Sequence, residues 1–321
     1  MVRPGRDHHH ADRVLAVARD ASAAARSAVA ASWVRSLNDY GLDPEQAGPP
    51  KGLDEAALAA ARAPLGGLLE AAQSPLDRLF QAVGDAGCCV LLTNHEGVPL
   101  ERRGTAADDD TFRAWGLWTG MVWDEPSEGT NGVGTCLAEG RTLTIHRDQH
   151  FFTRNTGLSC TVAPLHDHLG RLVGSLDVSS CRRDLDTAML GLIVTAVSDT
   201  ARLIEAANFR SAFQRARILL APDGGSAALL AVDRDDLVVG ATRAARRAHA
   251  ITDERLARGL PANTIFNPAE AEEDLRAAER GAVQRALARA DGNVSAAARH
   301  LGISRATLHR KLNRLGLGER H

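Results

Sequence analysis

A run of basic side chains near the carboxyl end of the chain has the residue types and spacing to bind a polyanion. Within ten residues the chain places Arg305, His309, Arg310, Lys311 and Arg314. An arginine guanidinium donates two parallel hydrogen bonds to a guanine edge, and both lysine and arginine pair with phosphate oxygens. Leu308, Leu312 and Leu315 recur at i, i+4 and i+7 among them. The spacing predicts a helix with an apolar inner face and a basic outer face.

The residues before this helix have features that would hold it in place. Gly302 permits a turn with positive φ, and Ser304 is a favourable N-cap. The small residues 296–298 allow a second helix to cross closely, and a third helix over about 277–290 would complete the core. This arrangement is typical of a helix-turn-helix that reads the major groove of DNA. The alternative is a solvated basic hairpin, but the turn, the cap and the stripe together favour the DNA reader.

Charge is distributed unevenly along the chain. Residues 275–321 contain ten Lys or Arg and three acidic residues, a net charge of +7, whereas the formal charge of the whole chain is −2. The remainder therefore carries −9. A cationic end on an acidic body is the pattern expected of a nucleic-acid-binding module.

Residues 293–317 resemble the Fis-type helix-turn-helix, through a Gly-Ile-Ser-Arg-x-Thr-Leu run and a final Leu-Gly. The resemblance implies that Ser304 and Arg305, at the start of the recognition helix, read base edges. It implies that phosphates are held by Thr307, His309, Arg310 and Lys311, and we include Arg314 in the same DNA-binding set. Double-stranded DNA is then the partner, and a homodimer is expected because such proteins usually read two half-sites.

A second group of residues, in the middle of the chain, has the composition of a ligand pocket. The candidates are Trp118, Met121, Trp123, Asn131, Thr135, Cys136 and Cys160. Trp115 and Trp118 would share a helix face and wall an apolar cavity, and the glycines of 129–134 would form a loop rich in hydrogen-bond donors. The alternative is structural: Asn131 caps a helix, the glycines allow close packing, the tryptophans fill the core and the thiols are apolar.

Histidines near these cysteines leave a metal or redox switch open, but no spacing is diagnostic. A histidine triplet at 8–10 is a further metal candidate, more simply interpreted as part of a polar tail. We therefore assign no catalytic residue, no metal and no cofactor, and we expect that the protein is not an enzyme. The alternative, a Cys-dependent reductase, would need a resolving cysteine within reach of Cys136 or Cys160.

The periodicity of the chain predicts an α+β fold. Helices are expected over 13–83, then five strands that begin near Cys88, Val98, Thr142, Thr161 and Leu172, then a long helix from Asp186 to about Leu219. The apolar stripe of this helix would either pair with a second copy or pack on its own sheet. The stripe consists of Leu190, Val194, Val197, Ala201 and Ile204.

The stretches Glu128–Thr135, His150–Phe151, Cys160–Pro164 and Gly170–Asp177 resemble a GAF sensor domain, and Ser32–Ser36 resembles the helical region before it in regulators of acetoin and glycerol catabolism. The expected organisation is a disordered tail (1–12), an N-terminal helical region (13–83), a GAF-like sensor domain (84–220), a degenerate PAS-like spacer (226–258), a linker (259–273) and the helix-turn-helix (274–317).

The resemblance implies a cytoplasmic regulator that binds a small-molecule effector or a protein partner. Its relatives place an ATP-driven module between sensor and DNA-binding domain, but this chain has no Gly-Lys dipeptide and so no phosphate-binding loop. We therefore expect no ATP hydrolysis. We also expect no membrane span and no secretion signal, and five irregularly spaced cysteines suit reduced thiols. The alternative function is a co-regulator that docks onto a motor-bearing relative or a metabolic protein.

Overall fold

The computed structural model describes residues 7–20, 22–46, 48, 51–182, 185–266 and 275–317, and the chain divides into two compact units, 1–260 and 261–321. The first unit contains helices and antiparallel sheet, and the second contains helices, which confirms the α+β class. Among the helices of these described residues, none has both the length and the apolar character needed to cross a membrane.

The amino-terminal region consists of separate helices. They are α1 (Asp7–Ala18), α2 (Ala23–Arg26), α3 (Ala28–Asn38), α4 (Glu55–Arg62) and α5 (Gly66–Val83). The expected tail of 1–12 is wrong from Asp7 onward, because His10 is buried with its Nε2 3.2 Å from the carbonyl oxygen of Phe151; residues 1–6 lie outside the described part. Within the helical region expected over 13–83, α2 and α3 are separate helices, and Ser27 caps α3 through a hydrogen bond from the Ala30 amide.

Five antiparallel strands form the central sheet in the order β2-β1-β5-β4-β3. They are β1 (Cys88–Asn94), β2 (Pro99–Arg103), β3 (Leu143–His146), β4 (Ser159–His166) and β5 (Leu172–Ser180). Between β2 and β3 the chain forms α6 (Asp109–Ala114), α7 (Glu125–Glu128) and α8 (Gly132–Glu139). Short 3-10 turns occur at Ala63–Leu65, Gly84–Ala86, Ala106–Asp108, Arg147–Gln149 and Thr153–Asn155.

The two faces of this sheet bury different cores. One face packs against α5 and the long helix α9 (Thr187–Ala212), and the other face packs against α8 and the 112–123 segment. Cys88 and Cys89 point to opposite faces, as strand alternation requires. The stripe of α9 lies in the first core, where Val197, Ala201 and Ile204 are buried. At these three positions the stripe packs on its own sheet, as the second of the two interpretations predicts, whereas Leu190 and Val194 are half-buried.

The chain after α9 differs from the expected helix to Leu219. Helix α9 ends at Ala212, and strand β6 (Arg217–Leu220) pairs antiparallel with β7 (Leu229–Val232), which pairs with β8 (Leu237–Ala241). Phe209 is buried against Leu229 and Ala231, so this small sheet has its own apolar contact with α9. The elements that follow are α10 (Arg243–Ala248), α11 (Asp253–Ala257), β9 (Leu260–Pro261) and α12 (Asn263–Phe266). The expected linker of 259–273 thus contains a short strand and a helical turn, and residues 267–273 lie outside the described part.

Candidate DNA interface and sensor region

Three helices build the carboxyl-terminal core. They are α13 (Leu275–Arg289), α14 (Val294–His300) and α15 (Arg305–Arg314). Leu308, Leu312 and Leu315 are buried in one cluster with residues of α13 and α14. Gly302 has a φ of +66°, and the Ser304 hydroxyl accepts a hydrogen bond of 3.1 Å from the Thr307 amide. The turn, the cap and the inward stripe are all confirmed.

The outer face of α15 carries the predicted DNA-contacting side chains. Ser304, Arg305, His309 and Arg310 are exposed, and Thr307 is half-buried. The Ser304 hydroxyl lies 2.9 Å from the Thr307 hydroxyl, and the Arg310 guanidinium donates to Thr307 Oγ1 at 3.5 Å. The helix therefore presents a polar and basic surface at its amino-terminal half.

Two further predicted residues have a partner within their own domain. Lys311 and Arg314 both form ion pairs with Glu279 of α13. The hydrogen bond from Lys311, more than any other contact, lowers the pKa of the Glu279 carboxyl. Sequence reasoning counted Glu279 among the acidic residues but did not place it beside the recognition helix. Both of these cations are therefore paired within the helix-turn-helix itself.

The glycine-rich segment of the sensor region is built into the fold. Asn131 caps α8, because its Oδ1 accepts from the Gly134 amide at 2.8 Å and its Nδ2 donates to the Gly129 carbonyl at 2.9 Å. A Cβ on Gly132 would lie 2.5 Å from the Cβ of Cys160. The positions therefore match the structural alternative, in which the asparagine caps and the glycines allow close packing.

A buried polar cluster joins α3 to this segment. The Arg35 guanidinium donates to both carboxylate oxygens of Glu125, at 2.8 and 2.9 Å. The Ser32 hydroxyl donates to Glu125 at 2.5 Å and lies 2.7 Å from the Thr130 hydroxyl and 3.2 Å from that of Thr135. We call these five residues the clasp. Thr135, a predicted ligand contact, is part of it, and the hydrogen bonds that Arg35 donates to Glu125 raise the pKa of Arg35.

The other predicted ligand residues fill the packed core on the α8 face or its edge. Trp123 is buried and its indole donates to the Gly116 carbonyl at 2.8 Å. Trp118 lies between two arginines, with the guanidinium carbons of Arg102 and Arg113 each 4.0 Å from a ring centroid. Because α6 ends at Ala114, the expectation that Trp115 and Trp118 share a helix face is wrong. Met121, half-buried, lies beside Gly52.

Four of the five thiols are buried, and the fifth, that of Cys181, is half-buried. All five cysteines are free, and burial raises the pKa of Cys136 and of Cys160, and that of Cys88 to about 11. Buried His150, whose pKa is lowered to about 4, lies with Nε2 3.5 Å from the Cys160 sulfur. The described residues contain no group of three or more His, Cys, Asp or Glu placed to hold a metal.

A carboxyl group in the core on the α8 face was missed by sequence reasoning. Asp177 of β5 is buried, and its Oδ2 accepts a hydrogen bond of 2.6 Å from the Ser179 hydroxyl. Its Oδ1 has no hydrogen-bond partner among the described residues. Desolvation raises its pKa to about 7. The only signal in the sequence was an acidic residue inside an apolar strand.

A cleft of about 880 Å³ lies on the opposite side of the sheet from this core. Helix α4, the start of α5, the end of α9 and two strand turns line it, so residues far apart in sequence meet there. Polar side chains at its rim include His95, Glu96 and His168. None of the seven predicted ligand residues lines this cleft. The structure therefore does not gather those seven residues around it.

Comparison with known families gives two matches. Residues 67–204 match the GAF domain, and residues 274–315 match the bacterial regulatory protein, Fis family. The GAF match includes most of α5, which we expected in the preceding helical region. The helix packs in the core with α9 and the sheet, which explains why it belongs with them.

Curated relatives extend the similarity. The acetoin catabolism regulatory protein of Cupriavidus necator is 36% identical over 221 residues, which cover 67% of this chain and 33% of that protein. The acetoin dehydrogenase operon transcriptional activator AcoR of Bacillus subtilis is 28% identical over 185 residues, 58% of this chain and 30% of that protein. The chain thus spans about a third of the length of these relatives.

A solved structure shares the fold of the sensor region. The Escherichia coli DhaR(N)–DhaL complex aligns with a TM-score of 0.52 at 18% identity, over 70% of this chain and 76% of the compared one. The chain carries a GAF domain and a Fis-type helix-turn-helix, and its homologues are acetoin catabolism regulators and similar transcriptional activators.

Proposed function

We propose that this protein is a transcriptional regulator that binds promoter DNA as a homodimer through α15. The observation that carries the proposal is the exposed Arg305, His309 and Arg310 on a helix whose opposite face is buried. Arg305 reads a guanine edge, together with Ser304, and the phosphates are held by Thr307, His309, Arg310, Lys311 and Arg314. Two copies read two half-sites about one helical turn apart.

In this proposal, the GAF domain controls DNA binding without ATP. The chain has no Gly-Lys dipeptide, and between the GAF and Fis-family matches the described residues form only a small sheet and short helices after α9 ends. Effector or partner binding to the GAF domain changes the affinity for DNA or the contact with other regulators. Purified protein mixed with ATP, with and without DNA, is expected to release no phosphate above the buffer rate.

DNA binding is tested by fluorescence anisotropy of the full chain on the DNA immediately upstream of its own gene, beside a scrambled duplex and at several salt concentrations. Arg305→Ala is expected to remove the preference for the native sequence, at a cost of about 1–3 kcal/mol. Arg289→Ala removes the same charge from the exposed side of α13 and should keep the preference. Equal, weak and salt-labile binding of both duplexes by the unaltered protein would contradict the proposal.

A second candidate is a co-regulator whose GAF domain docks a protein. Two observations favour it: most of the predicted ligand residues lie in or against the packed core or in the clasp, and the similar fold from Escherichia coli was solved in a complex named DhaR(N)–DhaL. The partner would be a motor-bearing relative or a metabolic protein. This candidate is distinguished by analytical ultracentrifugation of this protein mixed with one such purified partner. A stable complex that forms without any metabolite would favour it.

A further inference from the structure

We infer that a second cavity, on the edge of the GAF domain, binds a small carboxylate or phosphate ester. The cavity has a volume of about 310 Å³, near the lower end for ligand pockets. Four arginines line it: Arg141, Arg202, Arg243 and Arg247. We call it the arginine cavity. Arginine presents a planar fork of donors that matches carboxylate and phosphate oxygens.

The four guanidiniums come from separate parts of the fold. Arg141 follows α8, Arg202 lies on α9, and Arg243 and Arg247 lie one turn apart on α10. Glu205 is the acidic residue among those that line the cavity. Two acids flank it: Asp199 pairs with Arg202 at 2.7 Å, and Glu139 lies 3.9 Å from Arg141. The α10 side of the cavity therefore carries most of its uncompensated positive charge.

The carboxylate of Glu205 already accepts hydrogen bonds from a histidine. Its Oε1 accepts hydrogen bonds from the His166 backbone amide at 2.8 Å and from His166 Nδ1 at 2.7 Å. On the other side of the ring, His166 Nε2 accepts from the Arg243 guanidinium. This relay fixes the ring as the Nδ1–H tautomer, because Nε2 faces a donor that cannot lose its proton. Arg243 is thereby held at the wall of the cavity.

Arg247 is the residue best placed to respond to an anion. It is exposed, and within the described part of the chain it has no ion-pair partner. The remaining wall is made of small side chains, among them Ala163, Ala201 and Ala244, which leave room for a compact ligand. An anion held by Arg247 of α10 and Arg202 of α9 would connect these two helices, and so couple the small sheet to the GAF domain.

Binding is measured on the full chain by isothermal titration calorimetry with succinate and, separately, inorganic phosphate, at constant ionic strength in chloride. A saturable signal is expected for at least one probe, and Arg247→Ala should weaken it about tenfold. Arg210→Ala is the matched control, because Arg210 is exposed on α9 but does not line the cavity. Arg243→Lys, which keeps the charge but loses the fork, should also weaken binding.

The outcomes separate the ligand classes. Saturation by succinate alone assigns a carboxylate, and saturation by phosphate alone assigns a phosphate ester. No saturation by either probe, or equal weakening by Arg247→Ala and Arg210→Ala, would overturn the inference. The inference rests on the proposed function only where the anion is called an effector. Because these titrations contain no DNA, a failure here is distinct from a failure of DNA binding.

Discussion

At the scale of single residues, the clasp contains an ion pair with a buried carboxylate, so its loss should be costly. Glu125 is only 3% exposed, and two hydrogen bonds from Arg35 compensate its charge. Removal of one partner from a buried pair leaves an uncompensated charge, so Arg35→Ala should lower the free energy of unfolding by about 3 kcal/mol. Urea denaturation followed by circular dichroism measures this. Arg26→Ala breaks an exposed pair with Asp20 and should cost less than about 0.5 kcal/mol; equal costs would show that the clasp is not stabilising.

Asp177 gives a prediction about pH. Its folded pKa of about 7 lies above the value of about 3.9 for an unfolded aspartate, so the native state binds the proton more strongly. Stability contributed by this group is therefore present at low pH and is lost as pH rises from about 4 to 7, by at most about 4 kcal/mol. Asp177→Asn should remove that loss of stability. The urea midpoint of the variant should exceed that of the unaltered protein by more at pH 8 than at pH 5. Asp199→Asn, on the exposed side of α9, is the control and should show no such trend.

At the scale of elements, two glycines on helices should respond to alanine with opposite signs. A Cβ at Gly132 would lie 2.5 Å from Cys160 Cβ and 2.8 Å from Val162 Cγ2, so α8 would have to move from β4. Gly132→Ala should therefore destabilise by about 1–3 kcal/mol. Gly191 lies in α9 with nothing within 4 Å of the added Cβ, and Gly191→Ala should stabilise by about 0.5–1 kcal/mol. Thermal unfolding measures the change in melting temperature for each variant. Changes of the same sign in both variants would contradict the packing argument.

Element identity could be predicted from the sequence wherever local signals agreed. Strand β1 and helix α15 show this, because periodicity, caps and turn residues all specify the same state. Strand β6 could not be predicted, because Arg217–Leu220 continues the apolar character of α9 and becomes a strand only by pairing with β7. The packing partner of the α9 stripe was also ambiguous. An apolar stripe predicts that one face of a helix is buried, but it does not show which surface buries that face.

The candidate sites were predicted unequally for a physical reason. The side chains proposed to contact DNA lie on or beside one helix, so their relative placement follows from helical geometry. The clasp joins residues more than ninety positions apart, such as Ser32 and Glu125, and the arginine cavity joins Arg141 to Arg247. The spacing of residues along the chain does not show which distant residues lie close together in the fold. The sequence therefore does not reveal that Thr135, predicted as a ligand contact, lies beside Ser32.

At the scale of the whole molecule, residues 275–321 carry a net charge of +7 and the rest of the chain carries −9. Glu279 forms ion pairs with two cations of the basic end. Glu279→Gln should release Lys311 from its ion pair and make it available for phosphate contact. Affinity for any duplex should then rise, and the slope of log affinity against log salt should steepen by about one. Asp291→Asn is the matched control, since it changes the charge of the same domain by one and asparagine suits its φ of +49°. Anisotropy titrations from low to moderate salt compare them. Coincident slopes for the two variants would mean that Lys311 makes no additional phosphate contact when its ion pair with Glu279 is removed.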